Sequence, residues 1–273
     1  MNEPSSKWSN PWSFFAIAVG FSWLFLIPAI LIGKEADTPP VAQLRYVAGV
    51  GPLIAAVLLI YLTGNKKERN DFWRRAIDFK RIGAKWYAVF FLLVPGLTGI
   101  GVLVDIISGG EGGHWATDAP SLSDPLALLS FALFVLIFGP VPEELGWRGY
   151  ALDRLQAKWS ALISSLLLGS IWALWHVPLF FIEGTYQHGL GIFSLSFWLL
   201  LIGMIPQSII MTWVYNNNRR STLSAVLIHF MINFVGELFD LTRLAELYYI
   251  LSWIVAAVVV ILFWGPKSLK REA

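Results

Sequence analysis

The chain has 273 residues, 56% of them hydrophobic, 15% aromatic and 14% charged, with a mean hydropathy of +0.64. A soluble domain is about 25% charged, so this composition excludes an ordinary soluble protein and, with so many apolar residues, a disordered one. A net charge of +2 leaves no field for tracking nucleic-acid phosphates, and the lack of cysteine excludes disulfides, thiolate metal sites and a cysteine nucleophile.

A membrane-crossing helix needs about 20 mostly apolar residues. Eight segments qualify in chain order: 12–33, 44–63, 86–107, 125–151, 161–182, 194–215, 222–239 and 248–265. They predict an all-α fold, a polytopic transmembrane bundle of about eight spans forming one integral-membrane domain over 1–273. The run from Trp12 to Ile32 exceeds the roughly 7–15-residue core of a signal peptide, and no small-residue cleavage site follows. It reads as an uncleaved first helix.

The basic residues set the orientation. With the N-terminus inside, only Lys34, Arg45 and Arg243 of the 20 Lys and Arg fall outside, leaving 17 inside, Lys7 among them. Both termini are therefore expected in the cytoplasm. No organelle signal is evident, so the expected location is the plasma membrane. Between the second and third spans, Phe72, Trp73, Ala76, Ile77 and Ile82 fall on one helical face, with Arg74, Arg75, Lys80 and Arg81 mostly elsewhere. That pattern predicts a helix lying in the cytoplasmic interface, against anionic headgroups. Gly109–Gly113 lacks a following Lys-Ser/Thr and is expected to be a flexible external loop.

Ionisable groups inside spans cost about 2.5–3.5 kcal/mol each at mid-helix and mark cavities or partners. Three clusters stand out. In the fourth span, Pro140 and Pro142 precede Glu143 and Glu144, with Arg148 four residues beyond Glu144. Adjacent helical positions point about 100° apart, so Glu144 pairs with Arg148 while Glu143 faces elsewhere without a local cation. The prolines are expected to kink this helix. The fifth span carries Trp172, Trp175 and His176; the seventh carries His229 and Asn233 on one face. Counting about 1.5 Å per residue from the basic end, His229 lies roughly 10 Å deep, Glu143 about 15 Å, Asn233 about 16 Å and His176 about 24 Å. The four are expected around one hydrated chamber between the cytoplasmic face and the midplane. Asp105, Glu183 and Glu237 lie near outer ends of spans, where carboxylates reach water; Gln207 and Asn216–Asn218 read as packing or loop residues.

Glu143-Glu144-x3-Arg148, aromatic-x3-His176 and His229-x3-Asn233, in that order on a polytopic chain, resemble the three motifs of the CPBP family. This is the CAAX-protease/bacteriocin-processing (Abi) family of intramembrane proteases, which includes the type II CAAX prenyl endopeptidases. The likeness covers roughly residues 125–240, the expected protease core; Trp172 stands where Phe is common. The resemblance implies an intramembrane endopeptidase acting on a membrane-associated or prenylated protein or peptide. Its expected partners are membrane lipids and that substrate, with no nucleic acid. Glu143 would activate a water that His176 helps to hold, His229 and Asn233 would bind the oxyanion, and Glu144, neutralised by Arg148, would position the pocket. Two cofactor readings stay open. The reaction needs no metal, or His176, His229 and Glu143 hold a divalent ion such as Zn²⁺; the missing second His of an H-x3-H pair tips the balance toward glutamate-activated water. Midplane Glu and His also suit a proton-coupled transporter, and the family includes non-catalytic immunity and scaffold proteins. The sequence carries no signal of oligomeric state.

Overall fold

The computed structural model describes residues 10–271; Lys7, one of the inside charges, lies outside them. The fold is a helix bundle in which all eight expected segments are helical. Helix α1 (Pro11–Ile32) is capped by Asn10, whose side chain accepts the Trp12 N–H, and ends on Gly33 with φ of 65°. The second segment is two helices, α2 (Val41–Gly49) and α3 (Gly51–Thr63), bent by 43°. The bend follows from Pro52, which disfavours helical geometry at the residue before it.

Helix α4 (Lys66–Ile77) opens with a reciprocal Asn65/Glu68 capping box, and α5 (Ala84–Ile107) follows. Strand β1 (Gly113–Trp115) then pairs antiparallel with β2 (Phe239–Leu241) at the end of the bundle away from α4. The glycine-rich loop is thus partly an ordered strand, not wholly flexible. The fourth segment breaks into α6 (Pro125–Phe138), α7 (Pro140–Gly146), a π-turn (Trp147–Ala151) and α8 (Leu152–Gln156). Helix α9 (Ala161–His176) continues into a 3-10 turn (Val177–Phe181), and α10 (Tyr186–Leu190) caps the loop beyond it. Helices α11 (Leu195–Asn217), α12 (Thr222–Leu238) and α13 (Arg243–Trp264) complete the chain.

Six helical segments are long and apolar enough to cross a membrane, and the bent α2–α3 pair makes a seventh. The eighth, α12, has 17 residues, about 26 Å at 1.5 Å per residue, short of the ~30 Å hydrocarbon core. Helix α11 is the centre, with 72% of its apolar window buried, whereas α6 sits at the periphery with Val135 its buried residue. Small residues set the closest approaches. A Cβ on Gly146 would meet Pro52 at 2.5 Å, and one on Gly169 would meet Ser208 at 2.9 Å, so α7 seats against α3 and α9 against α11.

The amphipathic segment differs from expectation in one respect. Arg75 does not lie off the packed face; it is buried beside Phe72. Its guanidinium donates to Asp153 at 2.9 Å, to the Gly149 carbonyl at 2.8 Å and to the Tyr215 hydroxyl. Arg220 donates to the same Asp153 at 2.9 Å, and this charge-assisted bond raises the Arg220 guanidinium above its ordinary range. Arg75 therefore ties α4 to the turn that carries Arg148. Arg75→Ala is expected to cost about 1–3 kcal/mol, read as a lower thermal midpoint in detergent. Arg75→Lys should not restore it, since an ammonium cannot make the same fork.

Candidate active site

The break in the fourth segment falls at Gly139 (φ −116°, ψ −89°), the residue before Pro140. The helix restarts with Pro140, and Glu143 and Glu144 follow in its buried first turns. In the π-turn, Leu152 N–H reaches five residues back to the Trp147 carbonyl, a local widening common at functional sites.

The two carboxylates have separate surroundings, as their angular offset requires. One oxygen of Glu144 accepts from Arg148 at 2.9 Å and from His229 Nδ1 at 2.8 Å, and all three residues are buried. Arg148 also donates to Ser208 Oγ at 3.2 Å. Glu143 Oε2 instead accepts the Trp172 indole N–H at 2.6 Å and the Trp147 indole N–H at 3.4 Å. Both donors satisfy the same oxygen. The other, Oε1, is left for whatever enters the cavity.

The two histidines are each held through Nδ1. His176 Nδ1 lies 2.9 Å from the Trp172 carbonyl, which can only accept, so this nitrogen carries the proton and Nε2 is an acceptor. His229 Nδ1 faces the Glu144 carboxylate in the same way. The Trp172 ring stands edge-on between the imidazoles, 5.7 Å from His176 and 5.1 Å from His229. A Cβ on Gly139 would lie 3.0 Å from Asn233 Nδ2, so the helix break makes room for this amide.

Glu143, His176, His229 and Asn233 line one cavity of about 350 Å³. Glu144 and Arg148 are not in its lining; they stand behind His229. The cavity's rim is formed by Tyr186, Gln187, Glu237, Asp240, Arg243 and Glu246, from α10, the end of α12, β2 and the start of α13. That rim is at the β1–β2 end, opposite α4. Toward α4, Trp147, Arg148, Tyr150 and Leu152 are fully buried. Helix counting gives depth along each helix but not where the helices splay apart.

Other expectations change as well. Gln207 lines the cavity, and Glu237 is part of its rim. Asp105 does not reach water: it is buried, accepting Gly112 N–H at 2.7 Å and Thr242 Oγ at 2.8 Å, and so fastens the outer loops together. Asn216 and Asn217 bond carbonyls of Ser268 and Leu269, pinning the C-terminal segment. Among the described residues no three His, Asp or Glu side chains come close enough to hold a metal ion. The His176, His229 and Glu143 set is not assembled as a zinc site in this structure, with Glu143 Oε2 instead bound by the Trp172 indole.

A family model for type II CAAX prenyl endopeptidase Rce1-like proteins matches residues 125–235. CAAX prenyl protease 2 of Methanococcus maripaludis is 35% identical over 205 residues, 71% of this chain and 71% of the relative. The chain belongs to the type II CAAX prenyl endopeptidase Rce1-like family. The matched stretch starts at the first residue of α6 and includes Glu143, Glu144, Arg148, His176, His229 and Asn233.

Proposed function

We propose that this family member is an intramembrane endopeptidase that hydrolyses a peptide bond of a membrane-associated or lipidated protein or peptide with a water activated by Glu143. The observation that carries the reading is the pairing of one carboxylate oxygen held by two indole donors with a second oxygen directed to a chamber lined by His176, His229 and Asn233. In this reading the basic end of the bundle faces the cytoplasm at the plasma membrane, as the distribution of Lys and Arg supports.

Glu143 Oε1 takes a proton from the water as its oxygen attacks the scissile carbonyl carbon. His176 Nε2 accepts a hydrogen bond from the same water and fixes its position. The carbonyl oxygen becomes an oxyanion facing Asn233 Nδ2 and His229 Nε2. His229 is held through Nδ1 by Glu144, which leaves Nε2 to face the oxyanion. Losing one donor of this kind costs about 10²–10³ in rate. As the tetrahedral intermediate collapses, the C–N bond breaks and the proton on Glu143 passes to the leaving amine.

This reading routes no step through a metal. Purified protein in detergent is expected to cleave a quenched prenylated reporter peptide equally well before and after exhaustive chelation, with no stoichiometric metal by elemental analysis. Loss of cleavage on chelation, restored by one divalent ion, would assign the water to a metal instead.

A further inference from the structure

Along α11, Ser196, Leu200, Met204 and Gln207 recur every three or four residues, on one helical face, and all four line the cavity. Ser196 is engaged, donating to Glu246 at 2.6 Å near the rim. Gln207 lies about 16 Å farther along the helix, at 1.5 Å per residue. Its neighbour Ser208 points about 100° away and accepts from Arg148 at 3.2 Å, and Arg148 binds the Glu144 that holds His229. That contact sets the level of Gln207 at the Glu144–His229 pair, with its own side chain turned to the cavity. Gln207 is only 8% exposed, yet its amide has no hydrogen-bond partner among the described residues. Buried polar neighbours on the same helix are engaged: Ser208 with Arg148, Thr212 with the Ser208 carbonyl at 2.8 Å, and Asn216 with Gln156 at 2.7 Å. Buried polar groups are normally partnered, and one left free in a pocket wall is placed to meet a ligand.

We propose that Gln207 is a substrate-binding residue whose side-chain amide pairs with a backbone amide of the peptide next to the bond that is cut. This rests on the peptidase reading of Glu143 and its neighbours. A carboxamide carries an acceptor oxygen and an NH2 donor, the complement of a peptide group with one N–H and one C=O. Glu143 and His176 act from α7 and α9 and the oxyanion donors from α12, so Gln207 adds a fixed point from a fourth helix, α11. Holding the peptide at the scissile carbonyl and at a neighbouring amide sets the register in which the water meets the carbon. Gln207 reads backbone and not side chain. It therefore selects an extended peptide with a free N–H at that position and rejects proline there.

Gln207→Met keeps the length of the side chain and removes the amide. Its thermal midpoint in detergent should match or exceed that of wild type, since no protein partner is lost. For a quenched reporter peptide, kcat/KM should fall about tenfold to a hundredfold. The deciding measurement uses peptides in which one backbone amide at a time, on either side of the scissile bond, is replaced by an ester that lacks the N–H. Product masses check that the cut stays at the same bond. With wild type, one such ester should lower kcat/KM about tenfold. With Gln207→Met, the same ester should cost less than about twofold, because the partner is already gone. Ester costs equal in the two proteins at every position would overturn the proposal, as would a lowered thermal midpoint with kcat/KM unchanged. Either result, obtained with cleavage intact, removes Gln207 alone. A purified wild type that cleaves no peptide would remove the peptidase reading and this assignment with it.

Discussion

Glu143→Gln is expected to lower kcat by about 10²–10⁴ while leaving the thermal midpoint close to wild type. The amide oxygen of Gln can accept from Trp172 as Glu143 Oε2 does at 2.6 Å, so the side chain stays anchored and packed. What disappears is the basic oxygen that takes the proton of water. Single-turnover cleavage of a reporter peptide by purified variant and wild type, with unfolding followed in the same detergent, separates the two effects. A Glu143→Gln protein with wild-type kcat would remove the general base from the scheme. A large drop in thermal midpoint would instead make Glu143 a structural residue.

Glu144→Ala should act on the fold. Glu144 and Arg148 are fully buried and 2.9 Å apart, and His229 shares the same carboxylate oxygen. Removing the carboxylate leaves a guanidinium in the protein interior with Ser208 as its remaining side-chain hydrogen-bond partner among the described residues. Breaking a buried pair from one side costs about 3–5 kcal/mol, whereas replacing both members by apolar residues of similar volume is often neutral. Glu144→Ala should therefore accumulate poorly and unfold early. The double variant Glu144→Met, Arg148→Met should regain thermal stability yet remain inactive, because nothing then holds His229 Nδ1. Recovery of activity together with stability would show that the pair only packs the bundle.

The sequence made the site legible for a physical reason. Lipid-facing helices tolerate so few ionisable groups that Glu143, Glu144, His176 and His229 stand out, and four-residue spacing fixes which of them share a face. The separation of Glu144 from Glu143 followed from the roughly 100° offset of adjacent helical positions. Partners from distant helices did not follow. Nothing local to Glu143 indicates that the indole N–H of Trp172 reaches it, and nothing local to Asp105 indicates that Gly112 and Thr242 bury it. The bend between α2 and α3 was present in Gly51-Pro52 but hidden by a continuous apolar run. Strands of three residues, as β1 and β2 are, show no usable periodicity. The direction of the cavity depends on the splay of helices, which their individual sequences do not encode.

The shortness of α12 sets a ruler for the substrate. From Phe239, where the strand at the rim begins, back to Asn233 is about 9 Å of helix, and back to His229 about 15 Å, at 1.5 Å per residue. An extended polypeptide covers that reach with about three to five residues at 3.3 Å each. A chain threading the funnel thus presents its breakable linkage only a few residues below the point where it leaves solvent. Loose tails and short unstructured tethers fit that measure, whereas an intact transmembrane helix would have to unravel first.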